Sequence, residues 1–202
     1  MMQTFLPQQQ IVLASGNQGK IKEIQAILAP HPILAQSHFN VPEAEETAST
    51  FIENALIKAR NAALHCQLPA LADDSGLVVD ALNGAPGVIS ARYAGVGSSD
   101  LDNVKKLLAK LEGVPEAQRT ARFICVIAFM RHAEDPFPLI AQGIWEGRIL
   151  TQVAGTNGFG YDPVFWVPTH QCASAELPPT LKNEISHRGQ ALQQLKQLLI
   201  TT

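Results

Sequence analysis

The sequence predicts an α/β protein, with strands and helices alternating along the chain, and two stretches carry that prediction. In the first, Ile11-Val-Leu-Ala14 reads as a buried strand and runs directly into a Gly-rich loop, Ser15-Gly-Asn-Gln-Gly-Lys20. Ile21, Ile24, Ile27 and Leu28 then recur at helical spacing until Pro30 stops the pattern. In the second, residues 121–130 (Ala-Arg-Phe-Ile-Cys-Val-Ile-Ala-Phe-Met) are apolar on both alternating faces, as in a central strand covered on each side.

The remaining elements follow in order. Ile33-Leu-Ala35 is a second short strand, and residues 38–46 form a loop ending in Glu45-Glu46. A helix starts at about Thr47 or Thr50 and runs to His65. Thr50-Phe-Ile-Glu53 fits a capping box, and Phe51, Ala55, Leu56, Ala59 and Ala62 fall on one stripe. Asn54 and Lys58 share another face, four residues apart. Residues 71–80 (Leu-Ala-Asp-Asp-Ser-Gly-Leu-Val-Val-Asp) predict strand, turn, strand, with Asp73 and Asp74 at the rim and Ser75-Gly76 in the turn. Asn83-Gly-Ala-Pro-Gly87 is a turn cluster leading into residues 88–93. Leu101, Val104, Leu107, Leu108 and Leu111 mark a helix begun by Ser99 or Asp100 and ended by Gly113. Residues 131–138 turn the chain after the central strand, and residues 139–145 return as its antiparallel partner. A Gly-rich loop at 155–163 precedes a strand at 164–167. Residues 182–188 precede a last helix marked by Ala191, Leu192, Leu195, Leu198 and Leu199.

At 202 residues, 46% apolar and 16% charged, the chain has the composition of a globular protein and is expected to form one domain, 1–202. No apolar run approaches the ~18 residues of a membrane span. The N-terminus lacks a basic start and apolar centre, so no signal peptide is expected and residues 1–9 are expected to be a flexible tail. Cys66, Cys125 and Cys172 are scattered and unpaired in sequence, which argues against a disulfide framework and suits a cytoplasmic location. Cys125, inside an apolar run, is expected to be a small core residue. A net charge of −3 gives no footprint for a nucleic acid polymer or an anionic membrane, so an anionic ligand must be held by local cations.

Five places carry candidate chemistry. The loop at Ser15, Gly16, Asn17, Gln18, Gly19 and Lys20 joins a strand to a helix, which aims backbone N–H groups and a helix N-terminus at an anion. It is not a Walker A loop, because only two residues separate Gly16 from Gly19-Lys20. Asp73 and Asp74 are adjacent on a strand and so face opposite ways, which suggests different roles; Asp, Ser and Gly are equally at home in a turn. Glu45, ahead of a helix, is placed for a hard cation, although the helix dipole alone would favour it. In Gly155-Thr-Asn-Gly-Phe-Gly-Tyr-Asp-Pro163 the glycines allow close backbone approach to a ligand and present Phe159, Gly160, Tyr161 and Asp162. His187 and Arg188 crowd a helix start where cations oppose the dipole, which calls for an anionic or carbonyl-bearing partner.

With these residues in view the chain resembles the noncanonical purine nucleoside triphosphate pyrophosphatases, the dITP/XTP (inosine triphosphate) pyrophosphatase family. The likeness runs in order through residues 15–20, Glu45-Glu46-Thr47, Phe51-Ile-Glu-Asn54, Ala72-Asp-Asp-Ser-Gly76, Gly87-Val-Ile-Ser-Ala-Arg-Tyr93, residues 155–163 and Ser186-His-Arg-Gly-Gln-Ala191. It implies an ITPase-like α/β fold, an elongated mixed β-sheet flanked by helices, with two lobes and a central active-site cleft. It implies hydrolysis of ITP, dITP and XTP to the monophosphate and pyrophosphate with Mg²⁺, by a cytoplasmic homodimer. On that resemblance Asp74 is the acid-base residue and Glu45 and Asp74 hold the metal. The triphosphate contacts fall on residues 15–20 with Lys58 nearby. The base contacts fall on Ser75, Phe159, Gly160, Tyr161, Asp162, Lys182, His187 and Arg188. A binding module without catalysis, and a phosphatase removing the γ-phosphate, are the rival expectations.

Overall fold

The computed structural model describes residues 9–201. The expected N-terminal tail lies outside the described residues, save residue 9. β1 (Ile11–Leu13) and β2 (Ile33–Ala35) pair in parallel, Ile11 opposite Ile33, across α1 (Gln18–Leu28). The apolar side chains Ile21, Ile24 and Leu28 of α1 are buried, and Asn17 caps its start by accepting the Lys20 N–H at 3.0 Å. α2 (Phe51–Cys66) starts at the second of its two expected positions. Thr50 accepts the Glu53 N–H and donates its hydroxyl to the Glu53 carboxylate at 2.6 Å.

β3 (Ala70–Val79) overturns the expected strand, turn, strand. It is one continuous strand that runs beside β1, with Val12 opposite Ala70 and Leu13 opposite Leu71. Ser75 and Gly76 stay extended because the strand lies between β1 and β4 in the sheet, where ladder pairing outweighs the local preference of Ser-Gly for a turn. The two carboxylates therefore sit in a strand interior rather than at a rim.

α3 (Asp100–Lys110) starts with a reciprocal box between Ser99 and Asp102. β4 (Thr120–Met130) and β5 (Leu139–Ile149) are sheet neighbours, as expected, and β5 continues four residues beyond the expected end. Residues 162–164 form a short turn of helix, so β6 (Phe165–Val167) begins one residue late, and β7 (Cys172–Ala173) pairs antiparallel with it. Residues 182–188 do precede the last helix, but Lys182 is itself helical. It lies inside α4 (Pro179–Ile185), because Pro179 at the first helical position starts a turn that has no need of a proline N–H. α5 (His187–Thr201) follows after Ser186. The result is a seven-stranded mixed sheet, in the order β2-β1-β3-β4-β5-β6-β7, flanked by helices. Among the described residues no helix is long and apolar enough to cross a membrane.

The chain divides into two compact units, with breaks inside β3, β4 and β5. The first comprises residues 9–74, Cys125–Gly143 and residues 188–201, and its core joins Leu13, Ile24, Leu71, Ile127, Phe129 and Leu192. The second comprises Ser75–Ile124 and Ile144–His187, with Leu77, Leu107, Phe123, Trp145, Val164 and Phe165 at its centre. Leu107 is fully buried there, so Leu107→Ala should cost about 2–5 kcal/mol. Ser99→Ala removes only a helix cap and should cost about 1 kcal/mol. Denaturant unfolding of the two variants beside the parent measures both.

Candidate active site

In the first unit the Gly-rich loop, α1, α2 and β3 bring charged side chains together around the two aspartates. Alternation along β3 sends their carboxylates to different partners. Asp73 is 1% exposed. Its Oδ1 meets Lys20 Nζ at 2.5 Å, and its Oδ2 accepts from Arg188 Nε and from the Cys125 thiol, each at 3.0 Å. Burial alone would raise this carboxyl, but Arg188 and Lys20 outweigh burial and hold it well below the usual carboxylate range. Asp73 is therefore a fixed anion. The Cys125 thiol is pushed well up, first by burial and then by Asp73, which leaves it an inert hydrogen-bond donor in the core.

Asp74 differs in every respect. Its Oδ1 meets Lys58 Nζ at 2.6 Å, while Oδ2 is buried with no hydrogen-bond partner. Burial raises the Asp74 carboxyl, and the attraction of Lys58 offsets this only in part. Lys58 in turn bridges to Glu46 at 2.8 Å and donates to the Asp73 carbonyl at 2.8 Å. Burial acts to lower the Lys58 ammonium, yet Asp74 and Glu46 outweigh it and raise it, so it stays charged. One carboxylate is locked and the other, beside it, keeps an unpartnered oxygen and a raised proton affinity. That contrast is the usual sign of divided acid-base roles.

The other expected phosphate contacts lie on the same loop. Ser15 Oγ accepts the Asn17 N–H at 3.2 Å, and Gly16, Asn17 and Gln18 are exposed. Gln18 and Gly19 open α1, where helix geometry leaves backbone N–H groups pointing outward. Glu45 is exposed on the loop before α2, and the carboxylate that shares Lys58 with Asp74 is that of its neighbour, Glu46.

The donor set fits a hard dication of the kind held by one or two carboxylates plus ligand phosphates. Asp74 Oδ2 is a buried carboxylate oxygen without a hydrogen-bond partner, and Glu46 shares Lys58 with Asp74. A cage made wholly of protein is not what the residues build: among the described residues no group of three or more His, Cys, Asp or Glu could hold a metal ion.

In the second unit the loop before β6 is organised by Asp162, which is 2% exposed. Its Oδ2 accepts the Phe159 N–H at 2.9 Å and the Lys182 ammonium at 2.5 Å, and its Oδ1 accepts from Ser174 Oγ at 2.8 Å. Lys182 Nζ also lies 5.0 Å from the centroid of the half-buried Phe159 ring. The Gly160 N–H is taken by Asp100 Oδ2 at 2.7 Å, and the Tyr161 hydroxyl donates to the Ser90 carbonyl at 2.8 Å inside the core. Burial raises the Tyr161 phenol. His187 stacks on Phe123 with centroids 4.7 Å apart and planes 11° apart. Ser75 lies half-buried in β3.

Phe159, Asp162 and Lys182 thus come together, whereas Tyr161 turns into the core. Arg188, in the first unit, meets Asp73 and Glu23, so the anions that offset a cation at the start of α5 are the protein's own. Glu46, Glu23, Asp100 and Ser174, which pair with these residues, were not among the expected site residues. Glu23 was findable, three residues after Lys20 on one helix face, and Asp100 by its place at the start of α3. Nothing local marks Ser174.

Gly158 has φ +77°, and a Cβ there would strike the Asp162 carboxylate. Gly97 has φ +78° with open space around it. Alanine at Gly97 should cost about 1–2 kcal/mol for the left-handed backbone alone. At Gly158 the cost should exceed that by at least about 1 kcal/mol, and denaturant unfolding of both variants gives the difference.

Comparison with known proteins adds the relationships. Residues 11–198 match the Ham1 family. A dITP/XTP pyrophosphatase of Vibrio cholerae is 61% identical over 187 residues, which are 92% of this chain and 94% of that protein. The structure of a HAM1 protein from Coxiella burnetii superposes with a TM-score of 0.88 at 53% identity, covering 96% of this chain and all (100%) of that one. The Staphylococcus aureus Ham1 protein does so with a TM-score of 0.83 at 42% identity, over 94% and 97% of the two chains. On residues, fold and near-complete coverage together, this chain belongs to the Ham1 family.

Proposed function

We propose that the chain is a nucleoside triphosphate pyrophosphohydrolase acting on noncanonical purine nucleotides. It cleaves ITP, dITP and XTP between the α- and β-phosphates, giving the monophosphate and pyrophosphate and clearing these compounds from the nucleotide pool. Asp74 carries this reading. It is a buried carboxylate with one oxygen anchored on Lys58, the other without a hydrogen-bond partner, and a proton affinity raised by burial. Such a group can orient a water and accept its proton as the water attacks the α-phosphorus. The relative in Vibrio cholerae, which bears the name dITP/XTP pyrophosphatase, supports the choice of reaction.

Each of the chain's own groups has a role in this reading. The amides that open α1 and the Lys20 ammonium receive phosphate oxygens, with Ser15, Gly16, Asn17, Gln18 and Gly19 shaping the loop. Lys58 holds Asp74 in place. Mg²⁺ is the proposed cofactor, held through Asp74 with Glu45 or its neighbour Glu46, and when bound it supplies charge neutralisation on the phosphates and on the departing pyrophosphate. A triphosphate carries about four negative charges, which a protein of net charge −3 meets only with such local cations.

The purine falls to Phe159 by stacking, to the loop backbone at Gly160 and Tyr161, and to Ser75, Lys182 and His187 as hydrogen-bonding groups. A donor aimed at position 6 donates to the carbonyl of hypoxanthine or xanthine and is left unpaired against the adenine amino group. A mismatch of this kind is worth roughly 10²–10⁴ in selectivity. A cytoplasmic homodimer completes the reading, in keeping with scattered free cysteines and the family resemblance.

Two experiments test it. Asp74→Asn should bind ITP nearly as the parent does while kcat falls by about 10²–10⁴-fold, and a chelator should abolish turnover of the parent. Near-parental turnover by Asp74→Asn would remove Asp74 from its role. In a panel of triphosphates, the product from ITP should be IMP with pyrophosphate, and kcat/KM for ITP should exceed that for ATP by at least about 10². IDP as product would favour the γ-phosphatase reading, and equal values for ITP and ATP would refute base selection.

A further inference from the structure

The motif Gly87-Val-Ile-Ser-Ala-Arg-Tyr93 takes no part in the reaction proposed above, yet with the residues that follow it builds a frame in the second unit. The buried Ser90 accepts the Leu77 N–H on Oγ at 2.9 Å and donates to the Gly87 carbonyl at 2.6 Å. The buried Asn103 of α3 accepts from the Ala94 N–H at 2.7 Å and the Ser98 hydroxyl at 3.0 Å, and donates to the Ala91 carbonyl at 3.1 Å. Residues 91–98 are thereby fastened to α3.

Two acceptors of this frame reach successive residues of the Gly-rich loop. The Ser90 carbonyl takes the Tyr161 hydroxyl at 2.8 Å, and Asp100 Oδ2 takes the Gly160 N–H at 2.7 Å across 60 residues of sequence. The start of α3 does not need Asp100 as a cap, since Ser99 and Asp102 cap it reciprocally. The loop, by contrast, needs holding. Gly158 and Gly160 are both left-handed, with φ +77° and +61°, and Phe159 stands between them. Asp162 fixes the Phe159 N–H, and Asp100 fixes the next one.

Resting on the reading of residues 159–161 as purine contacts, we propose that Asp100 is a positioning residue for base recognition. By accepting the Gly160 N–H it holds the Phe159 ring and the adjoining backbone in place before a purine arrives, and it acts through Gly160 rather than on the nucleotide.

The physical reason is preorganisation. A loop that must be ordered when its ligand binds subtracts that entropy from the affinity, whereas a bond made within the protein moves the cost to folding. A carboxylate accepting a backbone N–H is a short, directional bond suited to this task. A ligand that lacks a base gains nothing from an ordered purine loop.

The experiment therefore compares a ligand with a base, IMP, and one without, inorganic tripolyphosphate, by calorimetry with Mg²⁺ present. The proteins are the parent, Asp100→Ala, Asp100→Asn, Asp102→Ala and Phe159→Ala, each checked by thermal melting. Asp100→Ala should weaken IMP binding roughly fivefold and leave tripolyphosphate binding unchanged. In ITP turnover it should raise KM by a similar factor, with kcat within about twofold of the parent. Asp100→Asn keeps an acceptor oxygen and should recover more than half of the loss. Asp102→Ala damages the same helix start, but its carboxylate is bonded to Ser99, so it should bind both ligands as the parent does. Equal losses for IMP and tripolyphosphate would overturn the proposal. So would an asparagine variant no better than the alanine one, or the same loss of IMP binding in Asp102→Ala. Phe159→Ala separates the two readings. If it binds IMP as the parent does, the purine-loop reading fails and the proposal fails with it; if it loses IMP binding while Asp100→Ala does not, the proposal alone fails.

Discussion

A carboxylate taken out of water must be paired with a cation or give up its charge, and the interior of β3 holds two carboxylates side by side. Much of the first unit can be understood as the answer to that constraint. Strand alternation turns Asp73 and Asp74 to different surroundings, so each needs its own cation. Lys20 comes from the first turn of α1, Arg188 from the first turn of α5 and Lys58 from the middle of α2. Three helices are thus tied to one strand through ion pairs as well as through apolar contacts. The solutions differ in quality. Asp73 has two cations and a thiol and is held ionised, whereas Asp74 has one ammonium on one oxygen and is raised by burial. Two residues of identical chemistry become a fixed anion and a carboxyl of raised proton affinity because of what faces them.

The second unit applies the same rule to a loop. Residues 155–161 lie outside helix and strand, and besides the Thr156 and Asn157 N–H groups donating to the Ala175 carbonyl, Asp162 orders them by accepting from Phe159, Lys182 and Ser174 at once. This explains why so many glycines are tolerated there. Their conformational freedom is removed by a buried carboxylate rather than by regular structure, and at Gly158 that carboxylate occupies the space a side chain would need. The Lys182 charge is met by Asp162, and its ammonium lies beside the Phe159 ring.

Much of this was legible along the chain. The strand, Gly-rich loop and helix at 11–28, the capping box at Thr50, the helix begun by Ser99 and the central strand at 120–130 are all written in short-range periodicity and end signals, which depend on neighbours in sequence. The candidate site residues could be picked out as residue types in suggestive company. The failures share one cause. Ser75-Gly76 looked like a turn, but the pairing of β3 within the sheet holds it straight, and the turn of helix at Pro179–Ile185 ahead of α5 left no periodic signal in the sequence.

What the sequence by itself determined was the list of elements and the inventory of ionisable groups, because both follow from local pattern and composition. Only the tertiary structure decided which ions meet. The partners of Asp73 come from positions 20, 125 and 188, and those of Asp74 and Glu46 converge on position 58. Whether an aspartate is a fixed anion or a carboxyl of raised proton affinity depends on cations and desolvation within a few ångströms, and that proximity is created by packing rather than by sequence spacing.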